Sequence, residues 1–345
     1  MTTKSQQIVL ASRPTGAPTH DNFRLEETAL SGPGEGEILV AVSHMSLDPY
    51  MRGRMDDAKS YAAPVPLGGR MEGGGVGQVM ASGSPHFKEG DHVFGMFGWG
   101  THAIADARMC RKIDPNQAPV TTALGVLGMP GFTGWYGFNE LGRPKAGETL
   151  AVAAATGPVG SMVGQLAKAK GLRAVGIAGG AEKCALATDT FGFDACIDHR
   201  GKDAKAIRAE LKETAPNGLD IYFENVGGVV LEAAITSMNP FGRIPLCGMI
   251  AWYNSGGLGA DAAGQGLTAP KLWRTILVNF LSVNGFIISN HWDRFPEFVA
   301  EVAPMIADGR VKYVEDITDG LENAPQAFMD LLTGGNHGKA IVKVG

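Results

Sequence analysis

The sequence is short of cysteine, of charge and of long apolar runs, and each shortage excludes something. Only four cysteines occur in 345 residues, Cys110, Cys184, Cys196 and Cys247, and no two form a CxxC pair. That argues against a disulfide scaffold and predicts free, mostly buried thiols in a reducing compartment. Charged residues make up 19% of the chain and the net charge is −5, with no basic stripe, zinc finger or aromatic-and-basic motif. Nucleic acid is therefore not an expected partner. Every long apolar run is broken by Gly, Pro, Asn or Gln, so no membrane span is predicted. The N-terminal MTTKSQQIVLASRP lacks the apolar core of a signal peptide. A soluble, cytoplasmic chain is the expectation, long enough for two domains with large cores.

Glycine, by contrast, is abundant, and its most informative cluster lies in residues 148–180, ETLAVAAATGPVGSMVGQLAKAKGLRAVGIAGG. Residues 149–154 are an apolar run of strand length. A tight turn follows, Ala155-Thr156-Gly157-Pro158-Val159-Gly160, and then a helical pattern with Met162, Val163, Leu166 and Ala169 on one face. Gly171 sits where a helix closes in a left-handed conformation, and residues 172–177 read as a second strand. A strand feeding a glycine turn and a helix N-terminus suits a pyrophosphate, because free backbone N–H groups and the positive end of the helix dipole converge there. Gly157 permits close approach of a diphosphate and Gly160 permits tight packing of helix on strand. The first glycine of the dinucleotide fingerprint is replaced by Ala155. A glycine triplet alone is weak evidence; its strand–turn–helix–strand setting is what points to a dinucleotide.

Residues 1 to about 120 carry many short strands separated by turns, among them 7–11, 38–43 and 76–80, which predicts a barrel-like β domain. From about 121 onward helices and strands alternate. Helices are expected at 182–191, 204–214, 229–238 and 296–308, and strands at 195–197, 219–228, 243–247 and 281–289. This is the pattern of a doubly wound parallel α/β sheet. Residues 251–270 are too rich in Gly and Ala for a regular element and are read as a lid or pocket wall. The closing KAIVKVG reads as a strand returning to the first domain.

Six segments, DPYMRGRM (48–55), MEGGGVGQV (71–79), AATGPVGSMVGQLAK (154–168), YFENVGG (222–228), FGRIPLCGMIAWYN (241–254) and GGNHGKAIVKV (334–344), span the chain in order. In them the sequence resembles the zinc-free medium-chain dehydrogenase/reductases. It is most similar to the prostaglandin reductase, leukotriene B4 12-hydroxydehydrogenase and curcumin reductase branch of NADPH-dependent alkenal/one oxidoreductases. The resemblance implies a Rossmann NADP-binding domain at 121–311 and a GroES-like β-rich substrate domain built from 1–120 and 312–345. It also implies a homodimer whose coenzyme-domain sheets join at the edge near residues 281–289. No zinc is expected: the early segment SHMSLDPYM has no cysteine, GGRMEGGG stands where zinc members carry GHE, and His44, His86, His92 and His102 show no ligand spacing with cysteine.

Coenzyme choice is read at the end of the second strand. Where an NAD site would place a carboxylate, this sequence has Ala178-Gly179-Gly180, with Lys183 in the following helix. Loss of the carboxylate removes repulsion of a 2′-phosphate and Lys183 adds attraction. A charge-assisted contact of roughly 1.5–3 kcal/mol would favour NADP by about one to two decades. The alternative for Lys183 is a solvated helix residue. His199, followed by Arg200, occupies the position of a family tyrosine that meets the phosphate region. By resemblance, Asn225 lines the ribose and nicotinamide side, Cys247 runs along the nicotinamide through its backbone, and Asn336 closes over the diphosphate. Cys247 is equally readable as a small core residue. Phe286, Ile287 and Ile288 close either this chain's site or a partner's.

The implied reaction is hydride transfer to the β-carbon of an enone or enal, so a donor must face the carbonyl oxygen where negative charge develops. Tyr253 in AWYN is the first candidate and Tyr50 in DPYMR the second; for each, a packed aromatic with a satisfied hydroxyl is the alternative. The expected substrate is a small apolar enone or enal, with Met51, Met55, Phe97, Trp99 and Trp252 either lining its pocket or filling the core. Two other functions use the same coenzyme segments: a quinone oxidoreductase, and a catalytically idle NADPH-binding sensor or structural protein.

Overall fold

The computed structural model describes residues 2–256 and 267–344, and the chain divides into two compact units. One comprises Val126–Trp252 and Ala262–Val314. Its six strands, in chain order, are β1 (Thr149–Ala153), β2 (Arg173–Ala178), β3 (Ala195–Asp198), β4 (Leu219–Phe223), β5 (Met238–Leu246) and β6 (Ser282–Gly285). All pair in parallel, in the spatial order β3-β2-β1-β4-β5-β6. The order reverses between β1 and β4, and open α/β sheets bind ligands beyond the carboxyl ends of strands at such a point.

Strand β1 is buried throughout, and its side chains alternate between two cores. Leu150 and Val152 join Met162, Val163, Leu166, Phe223 and Phe298 on one face of the sheet. Ala151 and Ala153 join Val175, Ile177, Ile207, Leu211 and Ile244 on the other. Helices α1 (Pro158–Ala169) and α6 (Phe295–Ala307) cover the first face; α3 (Ala204–Thr214) and α4 (Gly228–Ile235) cover the second. Three further helices, Met129–Tyr136, α2 (Ala181–Ala185) and α5 (Ala269–Val278), belong to the same unit. Gly171, at φ 76°, ends α1, with the Leu172 N–H donating to the Ala167 carbonyl at 2.9 Å.

The second unit comprises Met1–Gly125, Tyr253–Asp261 and Glu315–Gly345. A ribbon of Thr3–Leu10 and Phe23–Leu30 accompanies a seven-stranded sheet. In that sheet the C-terminal strand Lys339–Lys343 lies antiparallel to Glu37–Ser46. A buried ion pair ties the same two ends of the chain together. Lys339 Nζ donates to Asp48 Oδ1 at 2.8 Å and to the Leu47 carbonyl at 2.6 Å, and the Ser46 hydroxyl donates to the other Asp48 oxygen. Met51, Met55, Phe97 and Trp99 are core residues of this unit.

Several expected elements differ. The strand read at 281–289 is only Ser282–Gly285, because Phe286 and Ile288 turn into the core and Ile288–Arg294 winds into a 3-10 helix. The helix read at 182–191 is α2 followed by a π-helical turn, Leu186–Thr190. The helix read at 229–238 ends at Ile235, and Met238 already opens β5. The segment 251–270 is not wholly irregular: Ile250–Ser255 is a 3-10 helix and α5 starts at Ala269. Its middle, 257–266, lies outside the described residues.

Replacing Lys339 by Met should cost about 3–5 kcal/mol in urea denaturation, since Asp48 is left charged and unpaired in the interior. Converting Asp48 to Leu in the same chain should restore much of that loss.

Candidate coenzyme and active site

The turn after β1 is shaped by one close approach. A Cβ on Gly160 would lie 2.3 Å from the Ala154 carbonyl oxygen, so only glycine lets α1 sit this near the strand end. Ala154 itself takes φ 52°, a left-handed conformation that costs an alanine roughly 1–2 kcal/mol. Its carbonyl accepts from the Gly157 N–H at 3.1 Å, and the Asn225 side-chain amide donates to the Ala153 carbonyl at 2.8 Å. Gly157 caps α1. A Cβ there would make only an ordinary contact with the Ala154 oxygen, at 3.5 Å, among the described residues. Pro158 lacks an N–H, but those of Val159 and Gly160 belong to the first helical turn and have no intrahelical acceptor. Ala155 is buried, whereas Gly157, Pro158 and Val159 are half-exposed. A twelve-residue helix whose first N–H groups lack intrahelical acceptors suits a diphosphate.

At the end of β2 the structure gathers cations. Virtual Cβ atoms on Gly179 and Gly180 would lie 3.2 Å from Arg200 Nε and 3.0 Å from Arg200 Nη1, and Gly179 also faces His199 Nε2 at 3.4 Å. The Arg200 guanidinium thus lies over the glycine backbone beside His199. Asp198 Oδ1 orders this corner by accepting from the N–H groups of Gly180 (2.7 Å) and Arg200 (3.0 Å). Burial holds the His199 imidazole below its ordinary pKa; Arg200 and Lys183 push the same way and Asp198 opposes them. Arg200 received no role in the sequence reading, because its neighbourhood with Gly179 arises only when β3 is laid beside β2.

Beyond β4, Glu224 is fully buried. Its Oε1 accepts from the N–H groups of Val226 (2.5 Å) and Gly227 (2.9 Å), and its Oε2 accepts from the Tyr222 hydroxyl (3.0 Å). Its backbone carbonyl accepts from Cys247 and Gly248, while Ile250 and Ala251 donate to Asn225 and Val226. Burial pushes the Glu224 pKa up to about 7 against the pull of those donors, and burial with Glu224 nearby pushes the Cys247 thiol up to about 12. Trp252 packs on Gly227, its ring 2.9 Å from a virtual Cβ. The side chains of Phe286 and Ile288 belong to the core on the α1 face. An acid closing the apolar run IYF (221–223) was the available signal for Glu224.

In the other unit, Tyr50 precedes the short helix Met51–Arg54 and is half-buried. Burial, with the charges of Asp48 and Glu72, raises its hydroxyl far above the ordinary tyrosine pKa, leaving a neutral donor. Arg54, which the sequence reading passed over, lies 4.3 Å above the Tyr61 ring and 3.3 Å from Glu72. Tyr253 is half-buried in the 3-10 helix Ile250–Ser255. Asn336 donates its amide to the Gly338 carbonyl at 2.7 Å. Among the described residues no group of three or more His, Cys, Asp or Glu is placed to hold a metal ion, and no helix is long and apolar enough to cross a membrane.

Comparison with known proteins fits this geometry. Residues 6–113 match the family model described as the N-terminal domain of oxidoreductase, and 158–304 the one described as zinc-binding dehydrogenase. The NADPH-dependent curcumin reductase of Escherichia coli (strain K12) is 46% identical over 99% of this chain and 97% of its own. The NADP(+)-dependent 2-alkenal reductase of Nicotiana tabacum is 37% identical over 99% and 97%. Among solved structures, CurA from Vibrio vulnificus in complex with NADPH superposes with a TM-score of 0.92 at 47% identity, covering 99% of both chains. The chain belongs to the medium-chain dehydrogenase/reductases, within the reductase branch that holds the curcumin, 2-alkenal and prostaglandin reductases.

Glu224 makes stability depend on pH. The folded protein holds its proton at about 7, against 4.5 for a free side chain, so this contribution is complete below pH 4.5 and is lost as pH rises through 7. The loss amounts to roughly 3 kcal/mol. Chemical denaturation from pH 5 to 8 should show that fall in the wild type and lack it in Glu224→Gln.

Proposed function

We propose that this enzyme uses NADPH to reduce the carbon–carbon double bond of α,β-unsaturated ketones and aldehydes without a metal. The observation that carries the reading is the likeness, over nearly the whole of both chains, to reductases named for NADPH and for curcumin or 2-alkenals. The glycine-capped N-terminus of α1 at the carboxyl end of β1 supports it on this chain's own geometry.

The coenzyme is NADP(H). The N–H groups after Gly157 hold its diphosphate, with Ala155 and Gly160 setting the turn and Asn336 closing over it. Lys183, His199 and Arg200, above Gly179, take the 2′-phosphate. Asn225 and the Cys247 backbone line the nicotinamide side, with Phe286 and Ile288 forming the wall behind it. When bound, the reduced nicotinamide supplies a hydride. Tyr253 donates a hydrogen bond to the substrate carbonyl oxygen and stabilises the enolate charge, directly or through water returning a proton to the α-carbon. Tyr50, held neutral, serves as a second donor or pocket wall.

Incubation with NADPH and a simple enone should give the saturated ketone with its carbonyl intact; reduction at the carbonyl, or turnover with quinones alone, would defeat the reading. Tyr253→Phe should lower kcat by about tenfold or more. Lys183→Ala combined with Arg200→Ala should erase about one to two decades of preference for NADPH over NADH.

We also propose a homodimer. Strand β6 ends the parallel sheet, and Trp273, Leu277, Phe280 and Phe241 beside it are 61–74% exposed, with Phe241 stacked on Phe280 at 5.0 Å. A second copy pairing along this edge covers both the apolar face and the free strand. Light scattering should report twice the chain mass, falling to one chain in Leu277→Glu/Phe280→Glu.

A further inference from the structure

We propose that Glu224 is a positioning residue whose ionised carboxylate sets the affinity for coenzyme by gathering the loop 225–227 against the turn after β1. The inference rests on the reading that NADPH occupies that turn.

Three segments meet at this one residue. Its side chain holds the N–H groups of Val226 and Gly227, which fixes the loop immediately after β4. Its backbone holds Pro245, Cys247 and Gly248, which fixes the segment after β5. Asn225, pinned between these contacts, reaches back to the Ala153 carbonyl at the end of β1. The strand ends on either side of the topological reversal are thereby kept in register by a group that meets no solvent.

The donors decide which protonation state performs this. The two backbone N–H groups cannot reverse direction, whereas the Tyr222 hydroxyl, 3.0 Å from Oε2, donates to an ionised carboxylate and can accept from a protonated one. An ionised carboxylate accepts from all three. A proton on Oε2 turns that oxygen into a donor facing Tyr222, and the protonated group accepts more weakly from the loop. The titratable groups facing Glu224 are Tyr222 on its own strand and Cys247 after β5. Burial raises both, so both stay neutral at working pH and neither supplies a compensating charge. With Glu224 titrating at about 7, its ionised fraction rises about tenfold between pH 6 and pH 8.

Direct titration of the purified protein with NADPH, followed by coenzyme fluorescence, tests this without turnover. The ratio of wild-type to Glu224→Gln affinity is the readout, because it cancels the titration of the coenzyme phosphate and of His199. That ratio should rise up to about tenfold from pH 6 to pH 8. Glu224→Ala, which orphans two buried N–H groups, should bind NADPH at least about tenfold more weakly at every pH. Glu224→Gln should regain most of that loss at pH 6. A ratio that stays constant with pH, or a folded Glu224→Ala protein that binds like the wild type, overturns the proposal while leaving the coenzyme reading intact. A wild-type protein that binds no NADPH overturns both.

Discussion

The parallel-sheet unit depends on how closely helix α1 approaches the end of strand β1. The 2.3 Å that a Gly160 Cβ would leave to the Ala154 carbonyl is less than any side chain tolerates. That proximity turns the N-terminus of α1 across the carboxyl end of β1. It also forces the link between them into a left-handed residue, Ala154, where a glycine would be relaxed. The strain is offset by contacts that over-determine the turn: Gly157 to Ala154, Ala155 to Ile177, and Asn225 to Ala153. The result is a fixed row of N–H groups at the start of α1, the arrangement that suits a diphosphate.

Much of this could be read from sequence, for a physical reason. The sheet is covered on both faces, so its strands are short continuous apolar runs, and the helices between them carry an apolar stripe. Helix α5 goes unassigned in the sequence reading although Leu272, Trp273, Ile276 and Leu277 share one arc of it; Leu272 and Ile276 pack inward while Trp273 and Leu277 stay exposed. The shortening of the last strand has its origin in packing. Phe286, Ile287 and Ile288 are good strand formers, but the core beside Gly137 and Phe223 takes the Phe286 ring and bends the chain away from the ladder.

The site divides along the same line. Residues contiguous in the turn, Ala155 to Gly160, were legible because their chemistry and spacing lie in one stretch. Arg200 and Glu224 were not, since the meaning of each comes from a neighbour on another strand. Arg200 matters because β3 lies beside β2, placing a guanidinium over Gly179 and Gly180. Glu224 reads as one more residue of the strand expected at 219–228; the structure ends that strand at Phe223 and gives Glu224 three donors and no solvent.

These two charges act under different physics. Arg200 is exposed, so any attraction it exerts on a phosphate is shared with salt and fades as the Debye length contracts. Glu224 is sealed in, so its interactions are local hydrogen bonds that salt scarcely reaches, and its sensitivity is to protons instead. The proposed 2′-phosphate contact thus sits on the screened rim, where a cation can be exchanged at little cost to the fold. The alignment of the strand ends sits on the unscreened interior group, where the same replacement would disturb both.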